Sequence, residues 1–381
     1  MEEKIILRES SIEDADKLSH FFSQIPIQGE LDVKIKRQVD FFSLYRRLNV
    51  KYRSFLLEDE LNILGTASFL FSNNILGSKT TKIAYACDLR IASARKAILN
   101  WSRHFLPKLQ HLIFQERVDH FITSINLDNT QVINSFIRTK QKRSQKPFYE
   151  LVRKFNLVTI HGFYPLYFKV NPSIKVSYLE KTEHEKFIKY IESKIEKLDL
   201  VPELLKESVQ KYIQESLIYS FRNFVVAYDE QNNIVGSCYP LSSTLLQDYF
   251  PLKYNQQANN FRQFLKLAAW LNIGRRLTRP FSRSQKDETL NFQFLHFLYF
   301  EHPDVLKKMI KFTFKHSRQN DFLIYPAEQD RFTYRPPKGT IHTEMNYALY
   351  EIRTPESIEK SESPSLRHKL RKSLWLDGFL F

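Results

Sequence analysis

Two stretches of this sequence carry the same short pattern far apart in the chain. Residues 55–69 and residues 224–239 each hold an apolar strand, an acidic or asparagine-rich turn, and then Asn-Ile-Leu-Gly-Thr or Asn-Ile-Val-Gly-Ser. This arrangement is typical of a β-hairpin whose second strand contains a glycine that permits a bulge or a close approach. Two such hairpins within 381 residues indicate a duplicated domain.

The segments around the two hairpins repeat as well. Ahead of each hairpin the pattern predicts a strand and two amphipathic helices, and after it a strand, a helix and further strands. In the first half these are strand 4–8, a helix opened by a capping box at residues 10–13, a helix carrying Ile35, Val39, Phe42 and Tyr45, strand 82–91, helix 94–115, strand 120–125 and an extended stretch at 148–155. In the second half they are strand 175–179, a helix carrying Phe187, Ile191, Ile195 and Leu198, a helix from Pro202, strand 290–300, a helix from Pro303, strand 321–325 and an extended stretch at 342–352. The sequence therefore predicts a mixed α/β protein.

Composition limits the setting of the protein and the kind of partner it has. The net charge is +15, which favours a phosphorylated cofactor, nucleic acid or an anionic membrane surface as partner. The N-terminus lacks the pattern of a signal peptide, and no apolar run approaches the roughly 20 residues of a transmembrane helix. The two cysteines, Cys87 and Cys238, are too few for a disulfide framework or a cysteine-rich metal site. We therefore expect a cytoplasmic protein without a metal.

The order of these elements resembles that of the GNAT acyltransferase superfamily, over nearly the full length of the chain. The resemblance implies two tandem GNAT-like domains, residues 1–172 and 173–355, each a central mixed sheet flanked by helices, followed by a tail at 356–381. It is closest at Asp88-Leu89-Arg90-Ile91, which is similar to the family's fourth strand where it enters the pyrophosphate loop. A second match, Asn129-x-x-Val132-x-x-x-Phe136-x-Arg138, is similar to the helix after the family's fifth strand.

What the resemblance implies is a site for acetyl-CoA or another acyl-CoA as co-substrate. The residues expected to bind it are Leu89, Arg90, Ile91, Ser93, Ala94, Arg95, Lys96, Ala97, Asn129 and Arg138. A helix that starts near Ala94 would offer unpaired N–H groups and a partial positive charge to phosphate, and Arg95 and Lys96 would add two cations.

The sequence departs from the family pattern at two positions of this site. The family's loop reads [Arg/Gln]-x-x-Gly-x-[Gly/Ala], whereas residues 94–99 read Ala-Arg-Lys-Ala-Ile-Leu and contain no glycine. Phe136 stands where many members have a tyrosine that protonates the leaving thiolate. A strand–helix corner that binds no ligand is therefore the alternative. In the second half, Glu301 and Pro303 at the matching corner disfavour phosphate, and we expect no acyl-CoA there.

The resemblance also implies how the chemistry would be divided. Backbone N–H groups of the strand, such as that of Leu89, would polarise the thioester carbonyl. Asp88 is the nearest acid and the candidate general base, with a purely structural role as the alternative. Tyr85 or Tyr149 would replace the missing tyrosine as acid. Cys87 has no histidine near it in the sequence and is interpreted as a buried apolar residue.

Three classes of function follow from these observations. The first is an acyl-CoA-dependent N-acyltransferase, most simply an N-acetyltransferase, that acts on an amine whose identity the sequence does not reveal. The second is a Fem-like transferase that uses aminoacyl-tRNA, which needs no glycine loop and would fit the basic charge. The third is a non-catalytic module that binds acyl-CoA or another anion.

Two basic tracts and the C-terminal tail complete the sequence-based hypotheses. Residues 138–146 and an insertion at 249–286 are rich in lysine and arginine, and the insertion carries an apolar stripe formed by Phe261, Phe264, Leu267, Ala268 and Leu271. These tracts predict an anionic partner, tRNA or a membrane surface, or else a helix packed on its own domain. In the tail, Trp375, Leu376 and residues 379–381 are too apolar to remain in water. Docking onto the protein itself is the favoured interpretation, with a subunit contact or a membrane surface as the alternatives.

Overall fold

A computed structural model describes residues 5–93, 95–137, 147–281, 288–329, 334–355 and 365–377. The elements up to residue 163 are β1 (Ile6–Glu9), α1 (Ala15–Gln24), β2 (Leu31–Arg37), α2 (Ser43–Leu48), β3 (Lys51–Glu58), β4 (Ile63–Leu76), β5 (Lys79–Ile91), α3 (Arg95–Glu116), β6 (His120–Asn126), α4 (Thr130–Val132) and β7 (Phe148–Phe163). The next elements, up to residue 254, are β8 (Lys175–Tyr178), α5 (His184–Ile195), β9 (Leu198–Asp199), β10 (Val201–Pro202), α6 (Glu203–Glu207), α7 (Val209–Glu215), β11 (Val225–Tyr228), β12 (Ile234–Ser242) and β13 (Gln247–Tyr254). The remaining elements are α8 (Gln256–Trp270), β14 (Phe292–Phe300), α9 (Pro303–His316), β15 (Phe322–Glu328), β16 (Thr340–Arg353), α10 (Leu366–Lys369) and β17 (Ser373–Leu374).

One continuous mixed sheet runs through the described part of the chain, in the order β1-β3-β4-β5-β6-β16-β7-β15-β14-β12-β11-β8. This order is the same when read from either end. Strands β1, β3, β4, β5 and β6 correspond in this way to β8, β11, β12, β14 and β15, and β16 corresponds to β7. The pairing directions match as well, because β5–β6 and β14–β15 are both parallel while the other neighbours along this path are antiparallel. The repeated hairpins are β3–β4 and β11–β12, at equivalent places in the sheet.

The last strands of the two halves are exchanged at the centre of this sheet. β16, from the end of the chain, lies between β6 and β7, and β7 in turn pairs with β15. A sheet of mixed direction with helices packed against it confirms the predicted fold class. The division into domains at residue 172 stays a prediction, since the sheet itself has no boundary between the halves.

The two matching glycines allow the long helices to approach the sheet closely. A Cβ atom at Gly65 would lie 2.9 Å from Cε3 of Trp101 on α3, and one at Gly236 would lie 2.5 Å from Cγ1 of Val305 on α9. Both distances are shorter than side chains tolerate, so any larger residue would push the helix away. Both roles that the sequence allows for these glycines are observed, since each hairpin also has a register shift directly beside its glycine.

One predicted helix is formed only in part. Residues 31–37, expected within a helix through Ile35 and Tyr45, form β2, and only Ser43–Leu48 is helical. β2 pairs in antiparallel register with β13, the first segment of the basic insertion, so a strand partner from the second half decides the local structure. Among the described residues, no helix is long and apolar enough to cross a membrane.

Candidate active site

A β-bulge interrupts β5 at the point where the family resemblance is closest. Arg90 pairs with Thr66 and Cys87 pairs with Ser68, which leaves Asp88 and Leu89 opposite a single residue of β4. Asp88 has a φ of 54°, in the left-handed region that few residues other than glycine, asparagine and aspartate adopt. The bulge therefore turns the end of β5 away from the regular path of the strand.

The same end of β5 separates from its parallel neighbour. β5 and β6 pair only from Ile83 to Tyr85 on one side and from His120 to Ile122 on the other. Beyond Tyr85 the two strands have no further pairing, although β5 continues to Ile91. The bulge thus lies beside a gap between the C-terminal ends of two parallel strands, where α/β sheets commonly bind ligands.

The carboxylate of Asp88 is held by two buried side chains. Nη2 of Arg37, at the end of β2, donates to Oδ2 of Asp88 at 2.5 Å. The hydroxyl of Tyr45, on α2, donates to the same oxygen and lies 2.8 Å from Oγ of Ser68. No hydrogen bond from a described residue reaches Oδ1 of Asp88, so this oxygen remains available to a ligand or to water.

Two guanidinium groups at this bulge are only partly hydrogen-bonded. Nε and Nη1 of Arg37 and Nε of Arg90 are buried and have no hydrogen-bond partner, and Nη1 of Arg90 donates to the carbonyl of Leu89 at 2.9 Å. Both groups lie over the ring of Phe22, at 5.3 Å for Arg37 and 4.6 Å for Arg90. Because arginine stays protonated in proteins, two positive charges face the single carboxylate of Asp88. Buried donors and an excess of positive charge together suit an anionic or strongly polarised ligand.

The basic insertion closes one side of this cluster. Its strand β13 places Gln247 opposite Arg37, and Nε2 of Gln247 donates to the hydroxyl of Tyr249 at 2.6 Å. Oε1 of Gln247 is buried without a hydrogen-bond partner. Burial raises the pKa of Tyr249, which lies close enough to Arg37 and Asp88 to feel their charges. The sequence gives no signal at Arg37, Gln247 and Tyr249, since only the pairing of β2 with β13 brings them to the bulge.

The predicted phosphate corner follows the bulge directly. Ser93 is exposed, and α3 begins at Arg95 with its side chain exposed, while Ala94 lies outside the described residues. Nζ of Lys96 lies 3.3 Å from Oδ2 of Asp59. Ala97 is fully buried, whereas Leu99, which stands at the family's last small position, is 55% exposed. The N-terminal turn of this helix therefore presents Arg95 to solvent beside the gap, as phosphate binding would require.

The second match to the family lies only partly within the described residues. Oδ1 of Asn129 accepts a hydrogen bond from the backbone amide of Val132 at 3.1 Å and so caps the short helix α4. Arg138 and the tract at 138–146 lie outside the described residues, as does the side chain of Phe136.

The two candidate acids lie at different distances from Asp88. Tyr85 is on β5, three residues before Asp88, and burial raises its pKa while a hydrogen bond with Ser124 opposes this shift. Tyr149 is on β7, which is three strands away from β5 in the sheet order. Since neighbouring strands lie about 4.8 Å apart, the backbone of Tyr149 is about 14 Å from β5. The structure brings Tyr85 to the bulge and does not bring Tyr149 there.

Burial also lowers the reactivity of the Cys87 thiol. It raises the pKa of the Cys87 thiol, and the nearby Asp88 carboxylate raises it further. A thiol that keeps its proton is a poor nucleophile, so the interpretation of Cys87 as an inert residue fits the structure.

The second half contains a bulge of the same kind. On β14, His296 pairs with Tyr239 and Tyr299 pairs with Ser237, so that Phe297 and Leu298 lie opposite one residue of β12. Phe297 has a φ of 49° and corresponds to Asp88 in the other half. Its backbone amide donates to Oδ2 of Asp377, in the C-terminal tail, at 2.7 Å. In the second half, a carboxylate oxygen therefore lies against the backbone amide of the bulge.

Comparison with solved structures extends over almost the whole chain. An N-myristoyltransferase from Saccharomyces cerevisiae, solved with bound myristoyl-CoA and inhibitors, matches with a TM-score of 0.52 at 8% identity, covering 92% of this chain and 80% of that chain. A second structure of that enzyme, with bound myristoyl-CoA, matches with a TM-score of 0.50 at 8% identity over 91% of this chain and 82% of that chain. A GCN5-related N-acetyltransferase from Sphaerobacter thermophilus gives a TM-score of 0.49 at 10% identity, with coverage of 91% and 95%. No family model and no curated protein sequence matches this chain.

At these identities the likeness shows the fold. The chain has the fold of the yeast N-myristoyltransferase structures, which is the GNAT fold that the resemblance in the sequence implies.

Proposed function

We propose that this protein is an acyl-CoA-dependent acyltransferase that moves an acyl group to an amine, with its reaction centre at the β5 bulge and its place in the cytoplasm. The observation that carries this proposal is the cluster of incompletely bonded buried donors, Arg37 and Arg90, at a bulge that lies beside the gap between β5 and β6. The exposed start of α3 follows directly and suits the phosphates of the donor.

Each residue of the site would have a distinct task. The backbone N–H of Leu89 would hold the carbonyl oxygen of the thioester, and the surplus positive charge of Arg37 and Arg90 would stabilise the negative charge that develops there. Oδ1 of Asp88 would take the proton that the attacking amine loses, while Oδ2 stays fixed by Arg37. As the carbon–sulfur bond breaks, Tyr85 would give its proton to the thiolate of CoA and regain one from Asp88 through water.

The sequence also predicts an anionic partner other than the acyl donor, and the basic insertion is the described part of the chain that would bind it. In the basic insertion, Arg275 is buried, donates to Oγ of Ser317 at 2.8 Å and also bonds main-chain carbonyls, so its role is structural. Arg262 and Lys266 lie on α8, which also exposes Leu267, Trp270 and Leu271. The predicted apolar stripe is thus only partly buried, and the exposed cations of the described tract, Lys253, Lys266, Arg276 and Arg279, support an anionic surface contact.

Calorimetric titration tests the proposed function directly. Acetyl-CoA, myristoyl-CoA and free CoA should be titrated into the purified full chain, with myristoyl-CoA included because the yeast structures that match contain it. The proposal expects saturable binding of at least one acyl-CoA at micromolar concentrations and weaker binding of CoA alone. Absence of binding by every acyl-CoA at millimolar concentration would exclude it.

A further inference from the structure

The gap between β14 and β15 in the second half is filled by the chain itself. These parallel strands pair only from Phe292 to Phe294 and from Phe322 to Ile324, and then separate as β5 and β6 do. Residues 373–377 of the C-terminal tail contact both strands at this place. The backbone amide of Leu374 donates to Oε1 of Glu328 on β15, and Asp377 accepts from the amide of Phe297 on β14, each at 2.7 Å.

The tail is bound here through its backbone as well as its side chains. β17 pairs in parallel with β9, and the backbone amides of Arg371 and Lys372 donate to Oδ2 of Asp199 at 2.9 and 2.8 Å. Leu374, Trp375 and Leu376 are 5–6% exposed, which confirms the predicted docking of the tail onto the protein for these residues. An extended segment anchored by main-chain bonds and apolar side chains is the way in which many proteins bind peptides.

Buried polar atoms lie around Asp377, and apolar packing of the tail does not explain them. A cavity of about 50 Å³ adjoins Asp377 and is lined by Tyr299 and Trp375 among others. The hydroxyl of Tyr299, on β14, is buried and has no hydrogen-bond partner, and the same holds for Nε1 of Trp375 within the docked tail itself. Buried donors without partners beside a bound carboxyl group indicate a site built around polar recognition.

We propose that the gap between β14 and β15 is a binding site for a peptide carboxyl group, filled in cis by residues 373–377, with Asp377 as the group that the Phe297 amide recognises. The second half therefore binds its own C-terminal segment at the place equivalent to the proposed acyl site of the first half. This inference rests on the contacts of the tail and holds whether or not the first half transfers acyl groups.

Cutting the chain between β16 and α10 tests this proposal with the folded protein. A specific protease site introduced within residues 356–364, which have the composition of a linker, would be cleaved at pH 6 after folding. A labelled synthetic peptide of residues 365–381 should then exchange with the cut tail, and unlabelled variants should compete with it. We expect the D377A peptide to compete at least tenfold more weakly. The D377N peptide, which keeps a carbonyl oxygen but has no carboxyl group, should compete more weakly than the wild type and better than D377A.

The matched control is R367A, since Arg367 is exposed within the same tail. An R367A peptide should compete as well as the wild type. A D377A peptide that competes equally well would overturn the proposal. If the cut tail exchanges too slowly to measure, the Tm of the uncut chain at pH 6 is the test. D377A should lower this Tm and R367A should not. A D377A chain with the wild-type Tm would overturn the proposal.

Discussion

The residue at the centre of the candidate site, Asp88, carries its carboxylate in an unusual backbone conformation. Asp88 keeps its left-handed φ because Arg37 and Tyr45 both hold Oδ2. A strained residue fixed in this way costs about 1–3 kcal/mol and persists where the surrounding structure imposes it, which is common at functional sites. The pair is also buried, with 1% of the Arg37 side chain and 11% of the Asp88 side chain exposed.

D88N tests how strongly this pair is coupled to folding. Asparagine tolerates the left-handed conformation, so the variant should fold, but Arg37 would lose its counter-charge in a buried place. We expect the free energy of unfolding in urea to fall by about 3 kcal/mol, as when one partner of a buried ion pair is removed. The control is E215Q, which breaks an exposed pair with Lys211 at 3.9 Å and should cost less than about 0.5 kcal/mol. Equal losses in the two variants would contradict the predicted coupling.

The carboxyl group of Asp377 predicts a dependence of stability on pH. Burial raises its pKa to about 7, although the hydrogen bond from Phe297 opposes this shift. The groups around it that would carry charge are tyrosines, Tyr212, Tyr219 and Tyr299, whose own pKa values burial raises. Between the ordinary value near about 4 and the raised value, the folded state holds a proton that the unfolded state has lost. Stability from this group is therefore full below pH 4 and is lost as the pH rises to 7.

D377N isolates that contribution, because asparagine does not titrate. The stability of the wild type relative to D377N should decrease as the pH rises from 4 to 8, as measured by urea unfolding at each pH. A difference between the two proteins that stays constant over this range would show that Asp377 keeps an ordinary pKa.

At the scale of elements, α3 decides whether the glycine-free corner binds phosphate. Changing Arg95 and Lys96 together to glutamate should weaken acyl-CoA binding at least tenfold, or about 1.4 kcal/mol, because two cations at the start of the helix become anions. Calorimetry measures this change. The matched control replaces the exposed Lys189 and Lys211, on α5 and α7, with glutamate, which alters the net charge equally. Similar weakening by both pairs would indicate that only the overall charge matters.

The contact between α3 and β4 supplies a second prediction for the same helix. In G65A the new methyl group would meet the ring of Trp101, so α3 should move away from β4. We expect a loss of about 1–3 kcal/mol in the free energy of unfolding, together with weaker acyl-CoA binding. G29A is the control, since the nearest atom to a Cβ there is 3.9 Å away. A G65A protein as stable as G29A would mean that the helix does not depend on this contact.

Sequence patterns predict some of these elements and not others. The repeated glycines predict the equivalent hairpins, and the strand–helix run at Asp88 predicts β5 and α3, because these features depend on residues close together in the chain. The strand at residues 31–37 could not be predicted, since its partner, Gln247–Tyr254, is more than 200 residues further along the chain. Of the residues at the candidate site, the sequence predicts Asp88 and Arg90 but gives no signal at Arg37 and Tyr249, and the role of all four stays a prediction.

At the scale of the whole molecule, the two halves are equivalent in topology and different in what their gaps contain. The exchange of β7 and β16 joins the halves into one sheet, an arrangement that no local pattern encodes. In the second half, the tail fills the gap beside the bulge, and the corner before α9 carries Glu301 and Pro303. We therefore expect one acyl-CoA site in each chain, and we expect this site in the first half.

Hydrogen exchange of backbone amides, followed by mass spectrometry with and without saturating acyl-CoA, locates this site most directly. The account predicts slower exchange in residues 86–99, which include the β5 bulge and the start of α3, and unchanged exchange in residues 296–306 around the equivalent bulge of β14. Protection confined to residues 296–306, or spread equally over both segments, would contradict the assignment of acyl transfer to the first half.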